Sequence, residues 1–341
     1  MRGTLLYQVA SSSSITSMVQ MISWNTRRVL LSSLSSRRTL SSDFSSAALS
    51  SLEGPPVCRL VPPGNCQFGE EFQSVPLVNR VQVSPTSSIL RFQLPDSTNS
   101  LQLSTCACIL AKADIPTVKE PVIRPYTPIS TNALIGYMDL LVKNYHDQGT
   151  MSKFLHEMEI GSTSISFKHV PFNVKIQAPF RQRHIVMLAG GTGITPMIQA
   201  LHAILGVESH DPTLVPPLRN QDPQVTLLYG SQHSQDILAL SLLEDWAATY
   251  PQQLQVVHVL SNEPKDSSWS AGRHGRINRE LLEEYLPPPS VGDAANDNDV
   301  LIMVCGPPPM YEALCGPRQE MDNVSGILGA MGYSARQVYK F

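Results

Sequence analysis

The feature that most constrains the fold is a change of hydrophobic rhythm near residue 180. Before it, short segments alternate apolar and polar residues and stop at prolines. Pro76-Leu77-Val78-Asn79-Arg80-Val81-Gln82-Val83 ends before Pro85, and Ser88-Ile89-Leu90-Arg91-Phe92-Gln93-Leu94 ends at Pro95. Tyr137 to Lys143 and Ser164 to Lys168 continue the pattern. Period-2 alternation bounded by turns marks half-buried strands. One short helix interrupts them: Ser152 is placed to cap Lys153 to Met158, and Gly161 follows. Beyond the linker at Gln177 to Arg183 the apolar runs become continuous: Ile185 to Ala189, Val225 to Tyr229, Leu254 to Val259 and Val300 to Val304. Such runs read as buried parallel strands. The stretches Met197 to Leu205 and Asp236 to Ala248 supply helices between them.

The expected architecture therefore has two domains: an antiparallel β-barrel over 73–180, then an α/β doubly wound parallel sheet over 181–341. Residues 43–72 carry Pro, Gly and Cys without a period and read as a lead-in. The loops His210 to Pro223 and Pro287 to Asp299 read as surface excursions. With 341 residues there is ample material for two packed cores.

Residues 1–42 contain no Asp or Glu, while five arginines are spread among many serines. That composition is typical of an organellar transit peptide, with a mature start near Thr39 to Asp43. A mitochondrial address is the expectation; a plastid address and a plain serine-rich tail are the alternatives. No run approaches the roughly 18 apolar residues of a spanning helix. The processed chain is expected to be soluble and monomeric, with membrane-surface association if the presequence is kept as an anchor. A net charge of −3 argues against nucleic acid as the main partner. The six cysteines form no C-x-x-C pair and no cluster-like spacing, so no metal site is expected.

Two runs carry chemistry. In Arg124-Pro125-Tyr126-Thr127-Pro128-Ile129-Ser130, prolines stiffen the chain around an arginine. A planar guanidinium can bond two oxygens of a pyrophosphate at once. Tyr126 can lie on a flavin ring, and Thr127 can donate to it. An exposed proline-bounded turn is the plainer reading of the run taken alone. Nearby, Gly149-Thr150-Met151-Ser152 opens a helix, a ready anion site as well as an ordinary cap. Val142 and Lys143 end the strand that precedes it, with Tyr145 just beyond.

The second run, Gly190-Gly191-Thr192-Gly193-Ile194-Thr195-Pro196-Met197, follows a buried strand and opens a helix, with Thr195 as a candidate cap. Its glycines permit close approach of a phosphate, although Pro196 departs from the common dinucleotide fingerprint. Cys305-Gly306-Pro307-Pro308-Pro309-Met310 lies at the C-terminal end of another buried strand, where open α/β sheets bind ligands. Its prolines suit a stiff wall beside a nicotinamide. Without a ligand the run would be a structural turn, with Cys305 a buried thiol.

Together these residues resemble the NADH–cytochrome b5 reductase family, within the ferredoxin–NADP reductase superfamily. The likeness runs from about Gln73 to Phe341 and includes the terminal Tyr339-Lys340-Phe341. The presequence and the tail from Ser325 look most like its mitochondrial members. The resemblance implies a β-barrel FAD domain, a four-to-five-stranded parallel NAD domain, and FAD and NADH as cofactors, with NADPH as a second candidate. It implies that Arg124 binds the pyrophosphate, with Tyr126 and Thr127 at the flavin. Gly149, Met151 and Ser152 take phosphate. Lys143 belongs to the incoming nicotinamide cofactor, and Gly191, Thr192 and Gly193 face it, with Thr195 near FAD. Cys305 and Gly306 flank the hydride path, and Pro307, Met310 and Phe341 complete the binding set. Thr127, Lys143 and Cys305 are the residues expected nearest the reacting atoms.

Three departures stand out. Thr150 replaces a usual lysine, His169-Val170-Pro171-Phe172 replaces a G-P-x-G turn, and Leu260-Ser261-Asn262 lacks the aspartate of NADH-preferring members. The implied reaction passes a hydride from NADH to FAD and then single electrons to cytochrome b5 or a similar haem protein. The rivals are an NAD(P)H-dependent flavin reductase of the same fold with another acceptor, and a non-catalytic FAD-binding structural protein.

Overall fold

The computed structural model describes residues 51–145, 149–171, 176–208, 223–267, 269–289 and 299–341. The acid-free segment 1–42, the start near Thr39 to Asp43 and most of the loops 210–223 and 287–299 lie outside them. The chain opens with a two-residue strand, β1 (Val57–Cys58), and then builds an antiparallel sheet. Its strands are β2 (Gln73–Ser84), β3 (Ser87–Gln93), β4 (Ile109–Ala113), β5 (Val122–Tyr126), β6 (Tyr137–Lys143) and, after helix α1 (Thr150–Glu157), β7 (Ser164–Lys168). They lie in the order β5-β4-β7-β2-β3-β6. The chain leaving β5 returns to the far edge, where Ile129 N–H donates to the Asp139 carbonyl at 2.9 Å, so the sheet curls around its own core. Phe68, Phe92 and Phe167 fill that core: Phe92 meets Phe167 edge to face with centroids 5.1 Å apart, and Phe68 meets it tilted at 5.5 Å. Burying each such ring contributes about 1.5–3 kcal/mol.

The second sheet is parallel throughout. It contains β8 (His184–Gly190), followed by α2 (Ile194–Leu205); the short β9 (Val207–Glu208) pairs with β1 outside it. It continues with β10 (Gln224–Ser231), α3 (Leu240–Thr249), β11 (Leu254–Leu260), β12 (Arg273–His274), α4 (Arg279–Tyr285), β13 (Val300–Cys305), α5 (Pro308–Leu314), α6 (Gly326–Ala330) and β14 (Val338–Lys340). The order β12-β11-β10-β8-β13-β14 gives six strands where four to five were expected. The additions are edge pieces of two and three residues, too short to show as apolar runs. Along β8, Ile185, Met187 and Ala189 face one core while Val186 and Leu188 face the other. Burial on both faces is what its unbroken apolar run requires. The first of these cores is shared between the lobes, because Ile89, Cys106, Ile129 and Leu141 of the first lobe pack into it.

Three local expectations are corrected. Ser152 is not the cap of α1: Gly149 takes that place, and Ser152 lies inside the helix. A Cβ at Gly149 would sit 2.1 Å from the Ser152 hydroxyl, which fills the space instead. Thr195 is not a cap either. Gly191 to Gly193 form a 3-10 turn that runs straight into α2, so the helix begins at Ile194 and Thr195 is buried within its first turn. The helix expected over Asp236 to Ala248 starts later, at Leu240, because Ala239 adopts a left-handed conformation (φ +59°) after a separate turn at Ser234–Asp236.

Candidate active site

Strand order reverses between β8 and β13, which pair in parallel with Ala189 opposite Cys305. That reversal opens a crevice at the carboxyl ends of the strands, the usual ligand position in such sheets. Both glycine-bearing loops leave from it, and they close on each other. A Cβ at Gly193 would lie 2.1 Å from the Cys305 carbonyl oxygen, and one at Gly190 would lie 2.7 Å from Met310 Sδ and 3.0 Å from Pro307 Cδ. Gly306 has the same relation to Met310, at 2.5 Å. Gly191 differs. Its φ is +54° and a Cβ there would meet nothing within 4 Å, so the turn is packed behind and open in front. Its carbonyl accepts a bond from the Tyr229 hydroxyl at 3.0 Å. Thr192 beside it is partly exposed.

The first lobe comes to this turn through β6, which lies against residues 191–193. Val142 is buried there and Lys143, at the end of β6, is partly exposed. Arg124 and Pro125 are exposed on β5, with Tyr126 and Thr127 half-buried beyond them. One Arg124 Nη donates to the Ile123 carbonyl at 2.8 Å. Burial raises the Tyr126 pKa, the Arg124 charge lowers it and Tyr145 raises it, which puts the three residues together. Tyr145 N–H in turn donates to the Ser152 hydroxyl at 3.4 Å. The N-terminus of α1 has no side-chain cap, and Met151 is buried behind it. Arg124, Tyr126, Tyr145, Gly149 and Ser152 thus form one group on the first lobe, with Gly190 to Gly193 and Cys305 to Met310 forming the other.

The groups fit the cofactors the motifs imply. An exposed guanidinium beside an uncapped helix N-terminus suits a pyrophosphate. The open face of Gly191, walled by the 305–310 loop, suits a flat ring pressed close to backbone. Asn262 stands apart at the end of β11, with its N–H donating to the Gln232 carbonyl at 2.9 Å. Two strand spacings separate it from β8, about 10 Å. Its neighbour Glu263 is committed: its carboxylate accepts from Ser234 N–H at 2.7 Å and from the Ser234 hydroxyl at 3.0 Å. The Ser234 N–H is the main cause of its lowered pKa.

Several supporting residues escaped the sequence reading. Gln199 Nε2 donates to the Pro128 and Ser130 carbonyls, both at 2.8 Å, tying α2 to the run after Arg124. A glutamine in a mostly apolar helix was the available signal. Cys106 Sγ donates to the Pro196 carbonyl at 3.3 Å from a left-handed backbone (φ +60°). Lys340 is fully buried, and its Nζ donates to the carbonyls of Pro317, Glu320 and Asn323 at 2.8–3.0 Å. That anchor holds the C-terminus, where Phe341 N–H donates to the Val304 carbonyl and the Tyr311 hydroxyl donates to the Phe341 carbonyl. Phe341 is thereby buried beside half-buried Cys305. Among the described residues no group of three or more His, Cys, Asp or Glu could hold a metal, and no helix is long and apolar enough to cross a membrane.

An antiparallel sheet joined to a parallel sheet with a crevice at its topological switch point is the arrangement of an FAD- and NAD-binding oxidoreductase. Residues 74–169 match the oxidoreductase FAD-binding domain family, and residues 187–316 match the oxidoreductase NAD-binding domain family. NADH-cytochrome b5 reductase 2 of Botryotinia fuckeliana is 38% identical over 273 residues, spanning 79% of this chain and 72% of that protein. The Neosartorya fischeri protein of the same name is 36% identical over 262 residues, spanning 76% and 74%. Among solved structures, the cytochrome b5 reductase domain of Ulva prolifera nitrate reductase shares the fold, with a TM-score of 0.62 at 24% identity over 83% of this chain and 100% of that one. The chain belongs to the NADH–cytochrome b5 reductase family.

Proposed function

We propose that this protein is an FAD-dependent reductase that takes reducing equivalents from NADH and delivers single electrons to cytochrome b5 or a similar haem protein. The observation that carries the reading is the closure of the 190–193 turn onto the 305–310 loop, with β6 brought against that turn from the other lobe. When bound, FAD supplies the exchange between two-electron hydride transfer and one-electron delivery. The chain supplies position. Arg124 and the N-terminus of α1 hold phosphate charge, and Tyr126 and Thr127 orient the ring. Gly191 to Gly193 seat the nicotinamide, and Lys143 draws in its dinucleotide. Cys305, with Gly306, Pro307 and Met310, forms the wall that keeps the ring flat and water out. Buried Phe341 backs that wall. No general acid is required of the side chains, since a hydride carries its own electron pair.

The acid-free composition of residues 1–42 supports a mitochondrial destination for the precursor, and an import assay that tracks loss of this segment tests it. The absence of an acid at Ser261 and Asn262 supports NADPH as a weaker second donor. The test of the whole reading is an anaerobic titration of the yellow holoenzyme with NADH, followed by addition of oxidised cytochrome b5. Bleaching of the flavin and then reduction of the haem is the expected sequence. A protein that binds no FAD, or whose flavin NADH leaves oxidised, would refute it.

A further inference from the structure

The segment before the first long strand crosses between the lobes twice. Ser51 Oγ donates to Asp139 Oδ2 at 2.5 Å on the first lobe. Asp139 is fully buried and is already held by Arg91, through Nε and Nη2 at 2.7 Å each. Three residues later the chain is on the second lobe. Trp246 Nε1, from α3, donates to the Gly54 carbonyl at 2.9 Å, and Val57 N–H donates to His202 Nδ1, from α2, also at 2.9 Å. The two side chains that grip it also pack on each other, edge to face with centroids 4.8 Å apart. Val57 and Cys58 then pair with residues 207 and 208 as a parallel ladder. They come so close to α2 that a Cβ on Gly206 would lie 2.3 Å from Cys58 N. From Arg59, whose carbonyl accepts from Asn132 Nδ2 at 3.1 Å, the chain is back on the first lobe. Gln67 fixes it there through bonds to Leu101 and Ser100 carbonyls and to Asp96 N–H. Leu52 is buried in the core the lobes share.

We propose that residues 51–59 are an interlobe strap, a positioning element that holds the NAD-binding lobe in register over the FAD-binding lobe during hydride transfer. The linker near residue 180, the shared core and the Gln199 and Cys106 bonds join the lobes along β8 and one side of α2. The strap adds a second passage of chain between them and is the connection that also grips α3. Hydride transfer tolerates little error, since reacting atoms must approach to roughly 3–3.5 Å and a displacement of about 1 Å costs on the order of 100-fold. His202 accepts through Nδ1 only as a neutral ring, and burial keeps it neutral, pushing its pKa down to about 4.

The proposal rests on the reductase reading and deepens it. The test uses the full-length holoenzyme carrying Val57→Pro, which removes the N–H that His202 accepts; Val57→Ile, which keeps it, is the control. Trp246→Phe, which removes the other donor within its own helix, is the second variant should the proline variant fail to fold. Expected for either is full FAD content with at least a fivefold slower flavin reduction at saturating NADH. Reduction by dithionite is unchanged, and amide exchange rises across residues 51–59 and α2. A synthetic peptide of residues 51–59 added in trans restores part of the rate. Wild-type hydride-transfer rates in both variants, with the strap amides deprotected, overturn the strap. Failure of the wild-type enzyme to bleach with NADH overturns the reductase reading instead, so the two failures are distinct.

Discussion

The Tyr229 hydroxyl donates to the Gly191 carbonyl at 3.0 Å, so β10 holds the turn that leaves β8. Gly191 has a left-handed backbone and no side chain to brace it. Tyr229 is fully buried, and its pKa is raised by that burial, so it stays a donor across the working pH range. Tyr229→Phe keeps the ring and deletes the bond, leaving the carbonyl to Ile194 N–H alone, at a cost of about 1–1.5 kcal/mol. Stopped-flow reduction by NADH is expected to slow roughly tenfold at unchanged FAD content. An unaltered rate would mean that the turn is set by its packing alone.

Gly193→Ala tests that packing. The new methyl would meet the Cys305 carbonyl oxygen at 2.1 Å and Gly306 N at 2.9 Å. Both are backbone, so no rotamer change relieves the clash and the two loops must part. NADH affinity is expected to fall at least about tenfold while FAD stays bound. Gly230→Ala, whose methyl would rest 3.5 Å from the Ala189 carbonyl oxygen, serves as the matched control with near-normal affinity.

Much of this was legible because local pattern and global fold agree. The runs at 185–189, 225–229, 254–259 and 300–304 became β8, β10, β11 and β13, each extended by no more than a few residues. Continuous apolar character survives small errors in boundary. What was not legible depends on contacts distant in sequence. Residues 51–59 have no period because they pack as a strap rather than as a strand of either sheet. Tyr229 looked like core because its ring is core, and only its hydroxyl reaches the turn. Ser152 and Thr195 looked like caps because the residue type was right, but glycines ahead of each had already turned the chain into the helix.

Arg124 has one Nη on the Ile123 carbonyl and an otherwise exposed fork. Arg124→Ala is expected to purify depleted of flavin, since the bidentate contact is lost. Arg124→Lys should recover only part of it, because an ammonium keeps the charge but not the fork. Stoichiometric FAD in the alanine variant, read from the ratio of visible to ultraviolet absorbance, would contradict the pyrophosphate assignment.

Asn262 is exposed at the end of β11, and the adjacent Glu263 is already bonded to Ser234. Residues 261 and 262 thus carry no carboxylate to oppose a 2′-phosphate, and the oxygens of ionised Glu263 are bonded to Ser234. Asn262→Asp adds a carboxylate within the strand-end row where a dinucleotide ribose binds. A like charge about 4 Å away in bulk water is worth about 1 kcal/mol, the value suited to an exposed residue. The NADH/NADPH ratio of kcat/KM is expected to rise between about five- and tenfold, chiefly by loss of NADPH activity. Isothermal titration with 2′,5′-ADP, which carries no hydride, gives the same comparison without turnover. Equal binding to both proteins would place the ribose elsewhere.

Acid should loosen the NAD-binding lobe, because two buried histidines there must stay neutral. Burial lowers both His202 and His258 from 6.5 to about 4. Neither ring nitrogen of His258 has a hydrogen-bond partner, and the ring sits between Tyr229 and Trp269 with centroids 6.0–6.1 Å away. His202 uses Nδ1 to accept from Val57, so a proton there also breaks the strap bond. For each ring the folded pKa lies below the unfolded one. Between the two values the unfolded chain binds protons that the folded chain refuses. Stability is therefore full above about pH 6.5, declines as pH falls, and stops declining below about pH 4, at a cost of at most about 3 kcal/mol per histidine. Urea midpoints measured from pH 7 down to pH 4.5 should fall for the wild type. His258→Phe should flatten the decline, since it keeps an aromatic in the cluster and removes the titration. Parallel curves for the two proteins would assign the acid sensitivity to other groups.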